Sequence, residues 1–143
     1  MKVLVADDDA ACREMLRSLL AEWGLDPQVV EDGAKAWEAL QGPDAPELVI
    51  LDWMMPGHDG FELAGMIRRS PLGQSTYVVL ITAAENKRDI MRVMVCGADD
   101  YLIKPFDATD LKIRLRNGMR MLRLTQRVEK LERQLRAAAV AVT

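Results

Sequence analysis

The sequence predicts a doubly wound α/β fold, with five short strands in one parallel sheet, helices on both faces and an extended C-terminal helix. Five apolar runs alternate with segments of helical period, as expected for strands joined by crossover helices. Two of the runs, residues 48–51 and 77–81, are apolar at every position. Such uniform runs are typical of strands buried on both sides, so they should lie near the centre of the sheet.

The first half of the chain predicts two strand–helix units. The first run, residues 3–6, ends in three aspartates, and the helix after it ends at Gly24. A weak second strand at residues 29–30 precedes a short helix over 33–40. The apolar face predicted for the first helix consists of Met15, Leu16, Leu19, Leu20 and Trp23.

The second half predicts three more units. The strand over residues 48–51 ends at Asp52, and the next helix runs through 61–67. The strand over 77–81 ends at Thr82 and leads into a helix over 85–95. A last strand at 101–103 precedes a helix that starts near 107–109 and continues almost to the end. The expected strand order is the flavodoxin-like 2-1-3-4-5.

The composition fits a single domain and excludes several classes of protein. The chain has 143 residues, of which 50% are hydrophobic and 29% charged. No apolar run approaches the roughly 20 residues of a membrane span, and the apolar N-terminus is too short for a secretory signal. Cys12 and Cys96 match no metal or redox spacing, and His58 is the one histidine. We therefore expect a cytoplasmic protein without a membrane partner.

Polar side chains stand at the carboxyl ends of four predicted strands. The aspartates at 7–9 follow the first strand, Asp52 the third, Thr82 the fourth and Lys104 the fifth. Each residue alone would be an ordinary turn or capping residue. In a doubly wound sheet, however, these strand ends meet at one edge, where ligands bind. The conjunction predicts a shared site.

The predicted site favours magnesium and phosphoryl chemistry. Neighbouring carboxylates raise each other's pKa unless a cation neutralises them, and Mg²⁺ prefers oxygen ligands. Beside such an ion Asp52 can act as a carboxylate nucleophile toward phosphorus. Lys104 then supplies a positive charge, and Thr82 a hydrogen bond, to the phosphoryl oxygens.

Four segments carry motifs that are specific as a set: VLVADDD at 3–9, LDWMMPGHDG at 51–60, ITA at 81–83 and GADDYLIKPF at 97–106. Together they resemble the response-regulator receiver domains of two-component signalling. The resemblance covers residues 2 to about 120. It implies a signalling switch rather than an enzyme, phosphorylated by a sensor histidine kinase or a histidine phosphotransfer protein.

The resemblance also implies individual roles around the metal. Asp52 would be the phosphoacceptor, Asp8 a direct Mg²⁺ ligand and Asp7 a ligand mostly through water. The backbone carbonyl of Met54 would complete the metal site. Lys104 would contact the phosphoryl group, and the peptide bond from Lys104 to Pro105 would be cis.

Further roles concern switching and hydrolysis. Thr82 and Tyr101 would form the switch pair, altering the face of helix 4, strand 5 and helix 5. Asp9 is interpreted as the cap of the first helix. Met54 and Ala84 occupy the two positions that in the family help to place the hydrolytic water, and neither can hydrogen-bond it through its side chain. We therefore expect a long-lived acyl phosphate with slow autodephosphorylation, unless Glu85 or Asn86 reaches the site.

Two other functions compete with the switch. A haloacid-dehalogenase-like aspartyl phosphatase, or another hydrolase, could also use Asp52 as nucleophile, but such enzymes need a second acid where Met54 stands. A flavodoxin-like nucleotide binder would need a glycine-rich phosphate loop after the first strand. Residues 7–9 are aspartates instead, and they repel phosphate without a metal.

The C-terminal segment predicts a dimerising helix. Its apolar residues recur at spacings of three and four, with positions a and d of a heptad occupied by Met121, Leu124, Val128, Leu131 and Leu135. This pattern favours a parallel two-stranded coiled coil and hence a homodimer. We therefore divide the chain into a receiver domain, 1–120, and a coiled-coil linker helix, 121–143. The alternative is a lone solvated amphipathic helix.

The same segment is basic, since residues 112–136 carry a charge of +7 and the remainder of the chain carries −10. A basic helix can attract nucleic acid, but this one lacks the Asn or Gln spacing that reads bases, so no direct nucleic-acid binding is expected. In the family such a helix often leads to an output domain, frequently a diguanylate cyclase or another cyclic-di-GMP enzyme. The apolar run at 137–143 suggests that an output domain follows.

Overall fold

Five strands and five helices alternate in the computed structural model, which describes residues 1–73, 75–83 and 88–142. Neighbouring strands pair in parallel in the order β2-β1-β3-β4-β5, which confirms the predicted fold class. The strands are β1 Lys2–Ala6, β2 Asp26–Val30, β3 Leu48–Asp52, β4 Tyr77–Ala83 and β5 Asp100–Lys104. The helices are α1 Ala10–Glu22, α2 Gly33–Ala39, α3 Gly60–Arg69, α4 Ile90–Cys96 and α5 Ala108–Val142. The first part of the helix predicted over 85–95 lies outside the described residues.

Successive side chains of the central strands fill two separate cores. In β1, Val3 and Val5 pack with α1 and α5, whereas Leu4 and Ala6 pack with α2 and α3. All five residues of β3 are buried, as the uniform apolar run predicted. The central strands are therefore covered on both faces, and the polar side chains of Asp52 and Thr82 stand at the carboxyl ends of β3 and β4.

The buried face of α1 differs from the predicted face at one position. Met15 is 43% exposed, and Cys12 is buried together with Leu16 and Leu20. At 100° per residue these three buried positions lie close to one line along the helix, whereas Met15 falls on its edge. The prediction for Met15 was therefore wrong, because the face is narrower than the apolar residues suggest.

Helix α5 is anchored to the body over its first half. Leu111, Leu115 and Leu122 are buried, and a Cβ atom added at Gly118 would lie 2.5 Å from the ring of Tyr77. This close approach requires glycine at position 118. Described residues from 130 onward are all exposed. Within the described part of the chain, no helix combines the length and the hydropathy of a membrane span.

Candidate functional site

The carboxyl ends of β1, β3, β4 and β5 bring the predicted polar residues together. The pairings Ala6 with Leu51 and Asp52 with Ile81 align these strand ends at one level. Asp7 and Thr82 are each 1% exposed, and Asp52 is 8% exposed. Buried polar groups so close together are rare without a functional reason, because their desolvation is costly.

Three carboxylates form a cluster at this edge. Asp7, Asp8 and Asp52 each offer one oxygen atom, and these atoms all lie within 4.8 Å of one another. Asp7 and Asp52 are buried, whereas Asp8 is exposed to solvent. Several carboxylate oxygens on one side with access for water on the other match the ligand set of Mg²⁺.

Lys104 reaches this cluster from β5. Its Nζ atom lies 3.2 Å from Oδ2 of Asp7 and 3.5 Å from Oδ1 of Asp52. Burial lowers the pKa of the ammonium group, but the charges of Asp52 and Asp7 outweigh this effect and raise the pKa overall. The lysine is therefore a permanent positive charge within reach of both buried carboxylates.

The two buried carboxylates differ in acidity. Burial, followed by the negative charge of Asp7, raises the pKa of Asp52 to about 7, although Lys104 opposes the shift. For Asp7, burial also acts to raise the pKa, but hydrogen bonds from the Cys12 thiol and the backbone N–H of Asp9 lower it overall. The Asp9 N–H lies 2.9 Å from Oδ1 of Asp7. Of the two buried carboxylates, Asp52 thus binds a proton more tightly than Asp7.

The loop after β3 is held tightly against the sheet. The N–H of Trp53 donates to the carbonyl of Ile81 at 2.8 Å, and the N–H of Gly60 donates to the carbonyl of Trp53 at 2.8 Å. A Cβ atom at Gly60 would lie 2.4 Å from the carbonyl oxygen of Asp52, so only glycine fits there. Met54 projects outward and is 65% exposed. The metal role of its carbonyl stays a prediction.

The remaining predicted residues have mixed outcomes. Asp9 accepts a hydrogen bond from the N–H of Ala11 at 3.0 Å, which confirms it as the cap of α1, and the peptide bond before Pro105 is cis as predicted. Tyr101 is partly buried, with the guanidinium group of Arg114 5.8 Å from its ring centroid. The residues at 84–86 lie outside the described part of the chain.

His58 was not singled out as a catalytic group, and its position agrees with that choice. It lies in the loop before α3 with Nδ1 3.2 Å from Oε1 of Glu62, and both side chains are substantially exposed. A contact between two exposed side chains at the start of a helix is common on protein surfaces and does not indicate catalysis.

Two residues of α1 belong to the site but were not predicted there. Cys12, treated as a packing residue, is buried and hydrogen-bonds Asp7, and these effects raise the pKa of its thiol to about 12. Arg13 donates from Nη1 to the carbonyl of Asp7 at 2.8 Å. The sequence could have indicated these two residues only by their position, because the first turn of a helix that starts at Ala10 lies beside residue 7.

Comparisons with known proteins agree with this geometry. Residues 3–116 match the family model described as Response regulator receiver domain. The chain is 36% identical over 121 residues to the phosphate regulon transcriptional regulatory protein PhoB of Escherichia coli, covering 85% of this chain and 52% of PhoB. It is 36% identical over 119 residues to the DNA-binding response regulator MtrA of Mycobacterium tuberculosis, covering 83% of this chain and 50% of MtrA.

Solved structures give the same result. A putative response regulator from Chloroflexus aurantiacus superposes with a TM-score of 0.77 at 30% identity, covering 82% of this chain and 95% of that chain. The chain spans about half the length of the curated relatives it matches. These relatives are named as regulators, which lends no support to the aspartyl phosphatase alternative. The chain belongs to the receiver domain family of response regulators, the phosphorylation-dependent signalling domains of two-component systems.

Proposed function

We propose that Asp52 accepts a phosphoryl group from the phosphohistidine of a sensor histidine kinase or a histidine phosphotransfer protein. The observation that carries this proposal is a buried carboxylate beside a second acid, with the ammonium group of Lys104 3.5 Å away. A carboxylate oxygen of Asp52 bonds to phosphorus as the phosphorus–nitrogen bond breaks. The departing imidazole nitrogen keeps the electron pair and remains on the donor.

Lys104 and Thr82 stabilise the product. Lys104 already contacts Asp52 and can pair with a phosphoryl oxygen by a small side-chain movement. The hydroxyl of Thr82 lies 3.4 Å from the carbonyl of Ala83, a weak contact that it can exchange for a phosphoryl oxygen. Both residues thus favour the phosphorylated state.

Asp7, Asp8 and Asp52, with the backbone carbonyl of Met54, are the proposed ligands of Mg²⁺. The donor set supports this, because it contains only oxygen atoms and three carboxylates within 4.8 Å. The bound ion supplies positive charge that offsets both the acids and the incoming phosphoryl group. Trp53 follows Asp52 directly and stacks on Phe61 at 5.9 Å between ring centroids, so its fluorescence should report binding.

The switch pair is proposed to be Thr82 and Tyr101. Thr82 would turn toward the phosphoryl group, and Tyr101 would move inward behind it. Tyr101 now lies against Arg114, whose Nη1 atom is 2.5 Å from Oδ1 of Asp100. Any rotation of the tyrosine must therefore disturb this cluster of β5 and α5. The signal would leave through the face of α4, β5 and α5.

The chain is proposed to function as a receiver domain, 1–120, followed by a coiled-coil linker helix, 121–143, that pairs two copies in parallel. The predicted seam is exposed in the single chain, with exposures of 54% at Leu124, 52% at Val128 and 58% at Leu131. Regularly spaced, exposed apolar side chains on a continuous helix favour pairing with an identical helix.

We further propose that the linker transmits the signal to an output domain. The curated relatives are about twice as long as the part that this chain matches, which supports a receiver joined to a further unit. A diguanylate cyclase or a related cyclic-di-GMP enzyme remains our proposal for that unit, because the long helical linker suits paired catalytic domains. MtrA is named as a DNA-binding regulator, so an output of that class is the competing result.

Labelling with a phosphorylated sensor kinase, or with acetyl phosphate, in the presence of Mg²⁺ tests the proposal. We expect one phosphoryl group per chain by intact mass, with none after Asp52→Ala or after EDTA treatment. Asp59→Asn is the matched control, because Asp59 caps α3 through its side chain and asparagine caps equally well. Continuous release of phosphate without a labelled protein would support a hydrolase instead.

A further inference from the structure

Helix α5 carries a straight row of positive charge, which we call the basic stripe. At 100° per residue its members fall within a sector of roughly 80° and extend over about 27 Å of helix. All six are exposed. The basic stripe consists of Lys112, Arg116, Arg120, Arg123, Arg127 and Lys130.

The basic stripe lacks internal neutralisation. No aspartate or glutamate lies three or four residues before or after any of the six basic residues. Within the described residues, none of the six forms an ion pair. By contrast, Arg133 and Arg136 each follow a glutamate by four residues, at Glu129 and Glu132. Each like-charge neighbour pair in the row destabilises the helix by a few tenths of a kcal/mol. The basic stripe contains five such pairs in succession, so its positive charges repel one another along the helix. A bound polyanion would neutralise these charges and remove the repulsion.

The basic stripe is independent of the other two faces of α5. The buried face includes Leu115 and Leu122, and the proposed dimer seam includes Leu124 and Val128. The stripe lies between these faces, with Lys112 at heptad position f, Arg120 and Arg127 at g, and the other three residues at c. The g positions flank the seam, whereas the four residues at f and c face away from it and stay accessible when two copies pair.

We propose that the basic stripe binds the phosphate backbone of duplex DNA without sequence specificity. A narrow row of cations along one continuous helix matches a rod of high linear charge density, and duplex DNA carries one charge per about 1.7 Å of its axis. An anionic membrane is a plane that would also meet the body of the domain, and the chain outside 112–136 carries −10. The exposed apolar side chains beside the stripe, Leu124 and Leu131, belong to the proposed dimer seam, and Met119 on its other side is packed on the core, so pairing of two copies leaves these side chains no access to lipid.

Binding of this kind does not require the residues that read bases. Phosphate contacts position a protein on DNA, whereas groove contacts specify the sequence. The lack of a base-reading Asn or Gln pattern thus excludes sequence recognition only. The DNA contact assigned here belongs to this chain and does not depend on phosphorylation of Asp52.

Fluorescence anisotropy with a labelled 30-base-pair duplex of arbitrary sequence tests the proposal on the full chain. For six phosphate contacts, the logarithm of the binding constant should fall with the logarithm of the salt concentration with a slope of about −5. Arg116→Gln with Arg123→Gln should reduce the slope by about 2 and weaken binding at least tenfold at low salt. Arg133→Gln with Arg136→Gln removes the same charge from the same helix off the stripe, and should change affinity less than twofold.

Three results would overturn the proposal. They are an unchanged anisotropy at low salt for the wild-type chain, equal weakening by both double variants, and binding to vesicles rich in anionic lipid without binding to the duplex. The circular dichroism of each variant should match the wild type, because glutamine is a good helix former. If a variant loses helical signal, the DNA affinities of the single variants Arg116→Lys and Arg116→Gln are compared instead. Lysine keeps the positive charge and glutamine removes it, so weaker binding by Arg116→Gln alone shows an effect of charge and not of folding.

Discussion

Replacing Asp52 with asparagine should stabilise the metal-free protein at alkaline pH. The carboxyl of Asp52 is 8% exposed, and burial together with the charge of Asp7 raises its pKa from 3.8 to about 7. Between these two values the folded state binds the proton more tightly than the unfolded state. The free energy of unfolding therefore falls as the pH rises through this window, and asparagine, which does not titrate, avoids the loss.

The magnitude follows from the shift itself. One pKa unit corresponds to about 1.4 kcal/mol, so the two units between pH 5 and the folded pKa correspond to about 3 kcal/mol. The stability difference between Asp52→Asn and wild type should grow by about this amount from pH 5 to pH 8. Lys104 does not cancel the effect, because its contribution is already included in the pKa of Asp52.

Urea denaturation in EDTA, followed by tryptophan fluorescence at pH 5 and pH 8, measures this difference. Asp44→Asn is the control, because Asp44 is an exposed loop residue remote from the site, and its substitution should have the same small effect at both pH values. Adding Mg²⁺ at pH 8 should stabilise the wild type more than Asp52→Asn and narrow the gap. If the stability difference between Asp52→Asn and the wild type is the same at both pH values, then burial and the charge of Asp7 do not raise the pKa of Asp52, and the reasoning is refuted.

Three further predictions concern the body, the site and the tail. Arg68→Ala should lower the free energy of unfolding by about 3 kcal/mol in urea denaturation, because the Arg68 guanidinium group donates to three backbone carbonyls and pairs with Asp99. The control is Arg69→Ala, which removes an exposed arginine and should lower the free energy of unfolding by less than about 0.5 kcal/mol. Met54→Asn should shorten the lifetime of the acyl phosphate severalfold by offering water a hydrogen bond, and a wild-type half-life of seconds by phosphate release would contradict the expected slow hydrolysis. Leu124→Glu with Leu131→Glu should convert a dimer to a monomer in sedimentation equilibrium, and a wild-type chain that is already monomeric at high concentration would exclude the proposed pairing.

The sheet and the strand-end residues could be predicted because both depend on local patterns. Residues 48–51 and 77–81 are apolar throughout, and such short runs rich in Val, Ile and Leu favour strands that are covered on both faces. Asp52 and Thr82 then fall at strand ends by position alone. Topology rules bring those ends to one edge without any knowledge of distances.

Contacts between distant residues could not be predicted in the same way. Arg68 donates to the carbonyls of Gly97 and Thr76, and no periodicity links these positions. Cys12 looked like a packing residue because its hydrogen bond to Asp7 depends on how α1 leaves the sheet.

Phosphorylation of Asp52 beside a bound metal is tested most directly by a crystal structure of the chain grown with Mg²⁺ and beryllium fluoride, a mimic of the phosphoryl group. We expect the fluoride adduct on a carboxylate oxygen of Asp52, Mg²⁺ bound by Asp8 and Asp52 with Asp7 close by, and Lys104 in contact with a fluorine atom. A structure from the same crystals with no metal among the three aspartates, or with the adduct on another residue, would contradict it.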